Sequence, residues 1–223
     1  CTQRLTHAYA LTKRRPELFA RILKNPIAVI GLCIIVLYMG IIIVSQFWLP
    51  FDPLEMETIN MLQPPSVKSG HLLGTDEFGR DILSRIMGGT GISFLIAVAA
   101  TALGGAIGTF MGVWSGFLGG AWDRWIMRIA DVLFSFPSLL LAIFVMAVLG
   151  EHTYNVIIAI AIGYIPQFAR ISRGAILSIK NNEFVRASFA SGARKSYILT
   201  HHLLPNIMMP LIVQSSLSLS VAI

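Results

Sequence analysis

The sequence predicts an all-α integral membrane protein. Hydrophobic residues make up 55% of its 223 positions, charged residues only 13%, and the mean hydropathy is +0.73. A soluble domain would carry about 25% charged residues. Several stretches lack Asp, Glu, Lys, Arg and His over lengths that match the thickness of a bilayer.

Residues 27–49 form the first such stretch. At 1.5 Å per helical residue it reaches about 34 Å, enough for the roughly 30 Å hydrocarbon core. Residues 86–122 are also free of charge, but this run is too long for one crossing and hardly long enough for two with a turn. Residues 132–150, 153–169 and 203–223 supply three further spans.

Charge settles both count and orientation. Arg4, Lys13, Arg14, Arg15, Arg21 and Lys24 face a single acid, Glu17, ahead of the first span. The positive-inside rule therefore makes residues 1–25 a cytoplasmic segment. Residues 50–90 carry Asp52, Glu55, Glu57, Asp76, Glu77 and Asp81 against Lys68, Arg80 and Arg85, which suits an extracytoplasmic loop. A single crossing within 92–116, followed by a turn at Gly119 and Gly120, puts Arg124 and Arg128 inside and Glu151 outside. It also puts Arg170, Arg173, Lys180, Arg186, Arg194 and Lys195 inside. Two crossings would turn that last basic group outward, so five spans are expected within a transmembrane domain of residues 26–223.

The first span is too long for a signal-peptide core and is followed by Phe47, Trp48, Leu49 and Pro50, with no small-residue cleavage site. Cys1 and Cys33 give no disulfide framework. The basic surplus follows the topology, so membrane lipid is an expected partner and nucleic acid is not.

The spans hold few reactive groups. Gly104, Gly108 and Gly112 form overlapping small-xxx-small pairs, which predicts close helix packing. Pro137 and Pro166 are each expected to free a carbonyl and bend a helix. Asp131 is expected to pair with Arg128 at a membrane boundary. The best buried polar candidates are Gln167, Gln214 and serines, a poor set for a proton or ion relay. No Gly-x-x-x-x-Gly-Lys-Ser/Thr loop and no His-Glu-x-x-His pair occur. His201 and His202 are adjacent and point to different helix faces. The reading has no catalytic residue, no metal site and no cofactor held by this chain.

Residues 181–205, NNEFVRASFASGARKSYILTHHLLP, are polar and basic between two apolar runs. Asn181 or Asn182 can cap a helix, and Glu183 in its first turn complements the dipole. Phe184, Ala187, Ser188 and Ser191 recur at helical spacing as a narrow face of small residues with one aromatic knob. Gly192 interrupts that helix or admits another backbone. Arg194 and Lys195 follow on the polar side, and Leu204 and Pro205 begin the last span. A helix lying on lipid would show a wide apolar face, so a protein-docking helix over about 182–200 is predicted.

The spacing Ala187, Ser188, Gly192, His202, Leu204, Pro205 resembles the EAA motif of binding-protein-dependent ABC importer permeases, Glu-Ala-Ala-x3-Gly-x9-Ile-x-Leu-Pro. Arg186 stands where the family has Glu, and His202 where it has Ile. The stretch HLLGTDEFGRDILSR, with Gly74, Thr75, Asp76, Gly79, Arg80, Asp81, Ser84 and Arg85, resembles the signature of the dipeptide, oligopeptide and nickel group, in its C-type subunit. Asp123, Met127, Arg128, Asp131 and Pro137 match a further stretch of that group.

The resemblance implies a type I, MetI-like ABC importer permease, with a sixth helix expected beyond the end of the chain. It implies a prokaryotic inner membrane and a related second permease subunit. Two cytoplasmic ATPase subunits that bind ATP and Mg, and an extracytoplasmic solute-binding protein, complete the implied assembly. Glu183, Phe184, Arg186, Ala187, Ser188, Gly192, Arg194, Lys195 and Pro205 would then couple the chain to the ATPases. The 71–85 signature would brace the outer mouth. The implied solute is a di- or oligopeptide, with nickel or a metal chelate as the alternative. From other classes, an ion-coupled secondary transporter or a non-transporting scaffold subunit remain open.

Overall fold

The computed structural model describes residues 24–223. Arg4, Lys13, Arg14, Arg15 and Arg21, on which the cytoplasmic reading of residues 1–25 chiefly rests, lie outside the described residues, as does Cys1. The described residues are helical apart from their loops and one isolated antiparallel bridge between Thr75 and Asp81. They fall into two compact units, one reaching Gly91 and the other Ile92–Ile223.

In the first unit, α1 (Pro26–Phe47) starts where the Asn25 side chain accepts a bond from the Ile27 amide at 3.1 Å, with Pro26 at the first helical position. Both are strong helix-start choices. Apolar side chains cover α1 on all sides and only Ile42 is buried, which fits a helix solvated by lipid. A long loop with one 3₁₀ turn (Thr58–Asn60) leads to α2 (Ile82–Leu118). Asp81 caps α2, its carboxylate accepting from the Ser84 amide at 2.8 Å.

The uncharged run after residue 86 crosses once, inside a single helix of 37 residues and about 55 Å. The chain turns at Gly119 and Gly120 into α3 (Gly120–Ser135). The bend expected at Pro137 is instead a break. Phe136 and Pro137 are extended, and α4 (Ser138–Leu149) leaves at 89° to α3. A residue before proline is pushed out of the helical region, and Phe136 at ψ 132° has gone there. Twelve residues of α4 reach about 18 Å, so residues 132–150 form no straight crossing.

α5 (Thr153–Lys180) continues well past residue 169, where the expected span ended, and keeps Pro166 within one helix. α6 (Glu183–Ala190) is short. α7 (Lys195–Ala222) begins with the turn Lys195–Ile198, passes through a π turn (Leu199–Leu203) and continues as Leu204–Ala222. The helix expected over 182–200 is therefore two elements, and Arg194 and Lys195 belong to the start of α7. Four helices, α1, α2, α5 and α7, are long and apolar enough to cross a membrane; α3 with α4 makes a fifth if the broken pair is one span.

The core of the second unit joins α2, α5, α6 and α7 through Val113, Tyr164, Phe168, Ile176, Val185, Ile198, Leu203, Ile207 and Leu211. Gly104, Gly108, Gly112 and Gly116 run along α2 one turn apart. A Cβ at Gly104 would lie 2.5 Å from the Ala161 carbonyl oxygen, and one at Gly108 or Gly112 would overlap that of Ile165 or Ala169. Backbone meets backbone along this seam between α2 and α5, an approach that only missing side chains permit.

Candidate functional site

α6 is exposed along most of its length. Its one buried side chain is Val185, fully enclosed with Ile176, Ile198 and Leu203 in the core. Burying a valine is worth about 1.5–3 kcal/mol, so this anchor helps to fix α6 to the body. With Val185 inward, Glu183, Ala187 and Ala190 face outward, and Phe184 and Arg186 sit on opposite flanks; all five are exposed. Phe189 is exposed as well.

The face predicted from Phe184, Ala187, Ser188 and Ser191 is partly occupied from within. Ser188 Oγ donates to the Phe184 carbonyl at 2.9 Å and lies 3.3 Å from His202 Nε2. The His202 ring meets Phe184 and Tyr197 edge-on, at 6.1 and 5.8 Å between centroids. His201 stacks on Tyr197 at 4.3 Å. The two histidines thus share one tyrosine, and no group of three metal-ligating residues occurs among the described residues.

Gly192 ends this region at φ +78°, and a Cβ there would meet nothing within 4 Å. Of the two roles open to it in the sequence, the structure shows the first: it turns the chain, and no backbone of this chain crowds it. Pro205 lies in the first turn of the Leu204–Ala222 helix.

Behind α6, charged groups tie α3 and α2 to α5. Arg173 grips Asp123 with two bonds, Nε at 2.6 Å and Nη2 at 2.7 Å, and Ser115 donates to the same carboxylate. Lys180 donates to the carbonyls of Gly116 and Phe117 at 3.2 and 2.6 Å, closing the C-terminus of α2 as a cation should. Asp131 pairs with Arg170 at 2.7 Å rather than with Arg128, whose guanidinium lies over the Trp125 ring. The extension of α5 brings Arg170 alongside α3, and this decides the partner. Gln214 donates to Gln167 at 3.1 Å and to Ser218 at 3.2 Å, so both glutamines are spent on each other and their neighbours.

In the first unit, the 71–85 signature folds into a bracket. Asp76 accepts from the amides of Phe78 and Arg80 at 2.8 and 3.0 Å, from Arg80 Nε at 2.9 Å and from Arg85. Thr75 accepts from the Gln63 amide at 2.8 Å and donates to the Asn60 carbonyl. Buried Asp81 holds Ser84 Oγ at 2.7 Å and His71 Nδ1 at 3.1 Å, and Ser84 in turn receives the Phe51 amide at 3.0 Å. Side chains at Gly74 and Gly79 would overlap the carbonyls of Gln63 and Glu57. The polar groups named here serve the loop's own shape.

Desolvation opposes ionisation of Asp76, but the amides of Arg80 and Phe78 and the Arg80 side chain outweigh it and hold its pKa at about 2, against an ordinary 3.8. Desolvation is likewise outweighed at Asp81, chiefly by its bonds to Ser84, so its pKa is also lowered. Such groups stabilise the folded loop above the ordinary carboxylate pKa and lose that contribution as pH falls through the lowered value. Amide exchange in residues 60–85 should therefore stay flat from neutral pH down to about 4 and accelerate between about 4 and about 2, after correction for intrinsic rates. In Asp76→Asn that acid step should shrink.

Comparison with known proteins follows the same geography. Residues 108–223, which carry the second unit's core and α6, match the model of the binding-protein-dependent transport system inner membrane component. The chain belongs to that family. Residues 17–65 match the N-terminal transmembrane domain of oligopeptide transport permease C. The permease is 39% identical over 207 residues to the dipeptide transport system permease protein DppC of Alkalihalophilus pseudofirmus, covering 93% of this chain and 67% of the relative. It is 41% identical over 203 residues to the oligopeptide transport system permease protein OppC of Bacillus subtilis, with 91% and 66% covered. It is 38% identical over 210 residues to the glutathione transport system permease protein GsiD of Pectobacterium atrosepticum, with 93% and 68% covered. The chain spans about two thirds of the length of these relatives. It is a multi-pass inner-membrane permease with the type I, MetI-like fold.

Three elements of this region went unread in the sequence. Gly116 continues the one-turn register of Gly104, Gly108 and Gly112, and that spacing could have revealed it. Arg173 and Lys180 counted as loop charges, although α-helical spacing from Arg170 would have placed Arg173 one turn on. The contacts of His202 have no sequence signature, since they depend on the π turn.

Proposed function

We propose that this permease forms half of the translocation path of an ABC importer for di- or oligopeptides, and that α6 is its cytoplasmic coupling helix. The observation that carries the reading is α6 itself: a short helix anchored by Val185 and by the contacts of Phe184 and Ser188 with His202, with Glu183, Ala187 and Ala190 facing outward and a glycine turn behind it. A surface of this form suits insertion into a cleft on another protein.

The permease has no phosphate loop of its own, so ATP and Mg belong to two partner ATPase subunits. A second permease subunit and an extracytoplasmic solute-binding protein complete the assembly. The N-terminus and α6 lie on the cytoplasmic side, by the distribution of Lys and Arg, and the 71–85 bracket shapes the outer side. A peptide solute is supported by relatives named for dipeptide, oligopeptide and glutathione transport. On ATP binding the ATPases close, α6 moves with its cleft, and α5 and α7, joined to α6 through Ile176, Ile198 and Leu203, carry that motion to the path.

The test is reconstitution of the full-length permease with its partner subunits in proteoliposomes. Peptide uptake should require ATP inside and the binding protein outside; uptake that survives ATP removal and collapses with an ionophore would overturn the reading. Within that assay, Gly192→Val forces a β-branched residue to φ +78°, where a left-handed geometry costs about 1–2 kcal/mol. Uptake should fall about tenfold or more while the protein still inserts and basal ATP hydrolysis continues, and Gly192→Asn, which tolerates that conformation, should retain most of it.

A further inference from the structure

After Glu183, the sequence contains no Asp or Glu through Ile223, but it contains Arg186, Arg194 and Lys195. All three are exposed, and none enters an ion pair among the described residues. The cations behind α6 are treated differently. Arg170 and Arg173 have carboxylates, and Lys180 has two carbonyls. Beside α6 a cavity of about 440 Å³ is lined by Ala193, Arg194, Ser196, Tyr197, Thr200 and His201. One wall is rigid, since Tyr197 and His201 are stacked. The other, open to solvent, is formed by Ala193, Arg194, Ser196 and Thr200, whose hydroxyl donates to the Ser196 carbonyl at 2.9 Å.

We infer that the surface made by α6 and the start of α7 receives an acidic protein surface, and that one carboxylate of that partner seats in the cavity against Arg194. The inference rests on the reading of α6 as the helix that docks to the ATPase subunits, and it adds the chemistry of their cleft. A guanidinium binds a carboxylate through two parallel bonds, and the Ser196 hydroxyl can satisfy one of its remaining lone pairs. Arg186, on the flank of α6, and Lys195 extend the same field. Exposed Phe184, Phe189 and Tyr197 lie among these cations, the mixture of rings and Arg that marks protein interfaces.

Anionic lipid headgroups are the competing occupant. They would suit a helix with a broad apolar face, whereas the outward positions of α6 are Glu183, Ala187 and Ala190. Arg186, which stands where the EAA motif has glutamate, adds a cation to this flank, and a cation favours negative charge opposite it.

The experiment measures affinity of the purified ATPase subunits for the full-length permease in nanodiscs of zwitterionic lipid and, in parallel, in nanodiscs that contain anionic lipid, at salt from about 50 to about 300 mM. Wild-type affinity should fall steeply with salt. Arg186→Glu and Arg194→Glu should each weaken binding about tenfold or more and flatten the salt dependence. A Glu→Lys or Asp→Lys change in the ATPase cleft should restore binding to Arg194→Glu. Equal affinity in the reversal variants overturns the inference, as does an effect confined to nanodiscs that contain anionic lipid. Phe184→Ala separates the two readings. If it weakens binding while the charge reversals do not, docking stands and the acidic partner falls. If the wild type itself fails to bind, both fall.

Discussion

Gly112→Leu is expected to be the most damaging single substitution in the membrane-embedded part of this permease. Its Cβ would overlap the Ala169 carbonyl oxygen and lie 2.8 Å from the Ser172 Cβ, and both obstacles belong to α5 rather than to a flexible side-chain tip. The seam cannot yield locally, because Gly104, Gly108 and Gly116 hold the same two backbones together above and below. In lipid there is little hydrophobic gain from helix association, so contact at short range supplies the attraction. Separating the helices removes it over several turns. A loss of about 3 kcal/mol or more is expected, seen as a lower midpoint of thermal unfolding in detergent. Gly174→Ala on α5 provides the contrast, since its Cβ would meet nothing within 4 Å. Helix propensity then favours alanine by up to about 1 kcal/mol. The two glycine substitutions should thus move stability in opposite directions, and a Gly112→Leu protein that unfolds at the wild-type midpoint would remove the seam's role.

How much of this was legible in the sequence depends on where the charges lie. α1 and the crossing within α2 are bounded by charged or turn residues, so uncharged runs located them. The run of α5 misled, because Arg170, Arg173 and Lys180 looked like the end of a span. In the folded protein each has a partner, in Asp131, Asp123 or the last carbonyls of α2, so the helix can continue with its charges intact. Pro137 was visible, but a proline alone does not distinguish a kink from a break. The extended Phe136 decides that, together with an N-terminus of α4 that has no side-chain cap. The region around α6 was placed by Gly192 and by Asn182, which stands at the N-cap position although its side chain makes no capping bond. Its division between α6 and α7 was not, because Arg194 and Lys195 are as acceptable at the start of a new helix as at the end of an old one.

Removing Asp123 tests whether this charged frame holds the broken span in place. The Arg173 guanidinium spans both carboxylate oxygens, and Ser115 adds a third bond, in a half-buried setting between α3, α2 and α5. Asp123→Ala leaves the Arg173 cation without its hydrogen-bonded carboxylate, with only the field of Asp131 remaining, and the loss is expected to be about 1.5–3 kcal/mol, the worth of a hydrogen bond to a charged group. Asp123→Asn should cost less, because an amide still accepts from Arg173. Replacing both partners, as in Asp123→Leu with Arg173→Met, should recover part of the loss, since no unpaired charge then remains. Thermal unfolding of the wild type, Asp123→Leu, Arg173→Met and the double variant closes a double-mutant cycle, and strictly additive effects would show that the pair contributes nothing as a pair. The same variants report on transport. α3 meets α5 through Asp123 and Asp131, and α5 meets α6 through the core around Ile176 and Val185. If α5 carries motion inward from α6, Asp123→Ala should reduce ATP-dependent peptide uptake by more than its fall in folded protein accounts for. Uptake that tracks the folded fraction alone would confine Asp123 and Arg173 to stability.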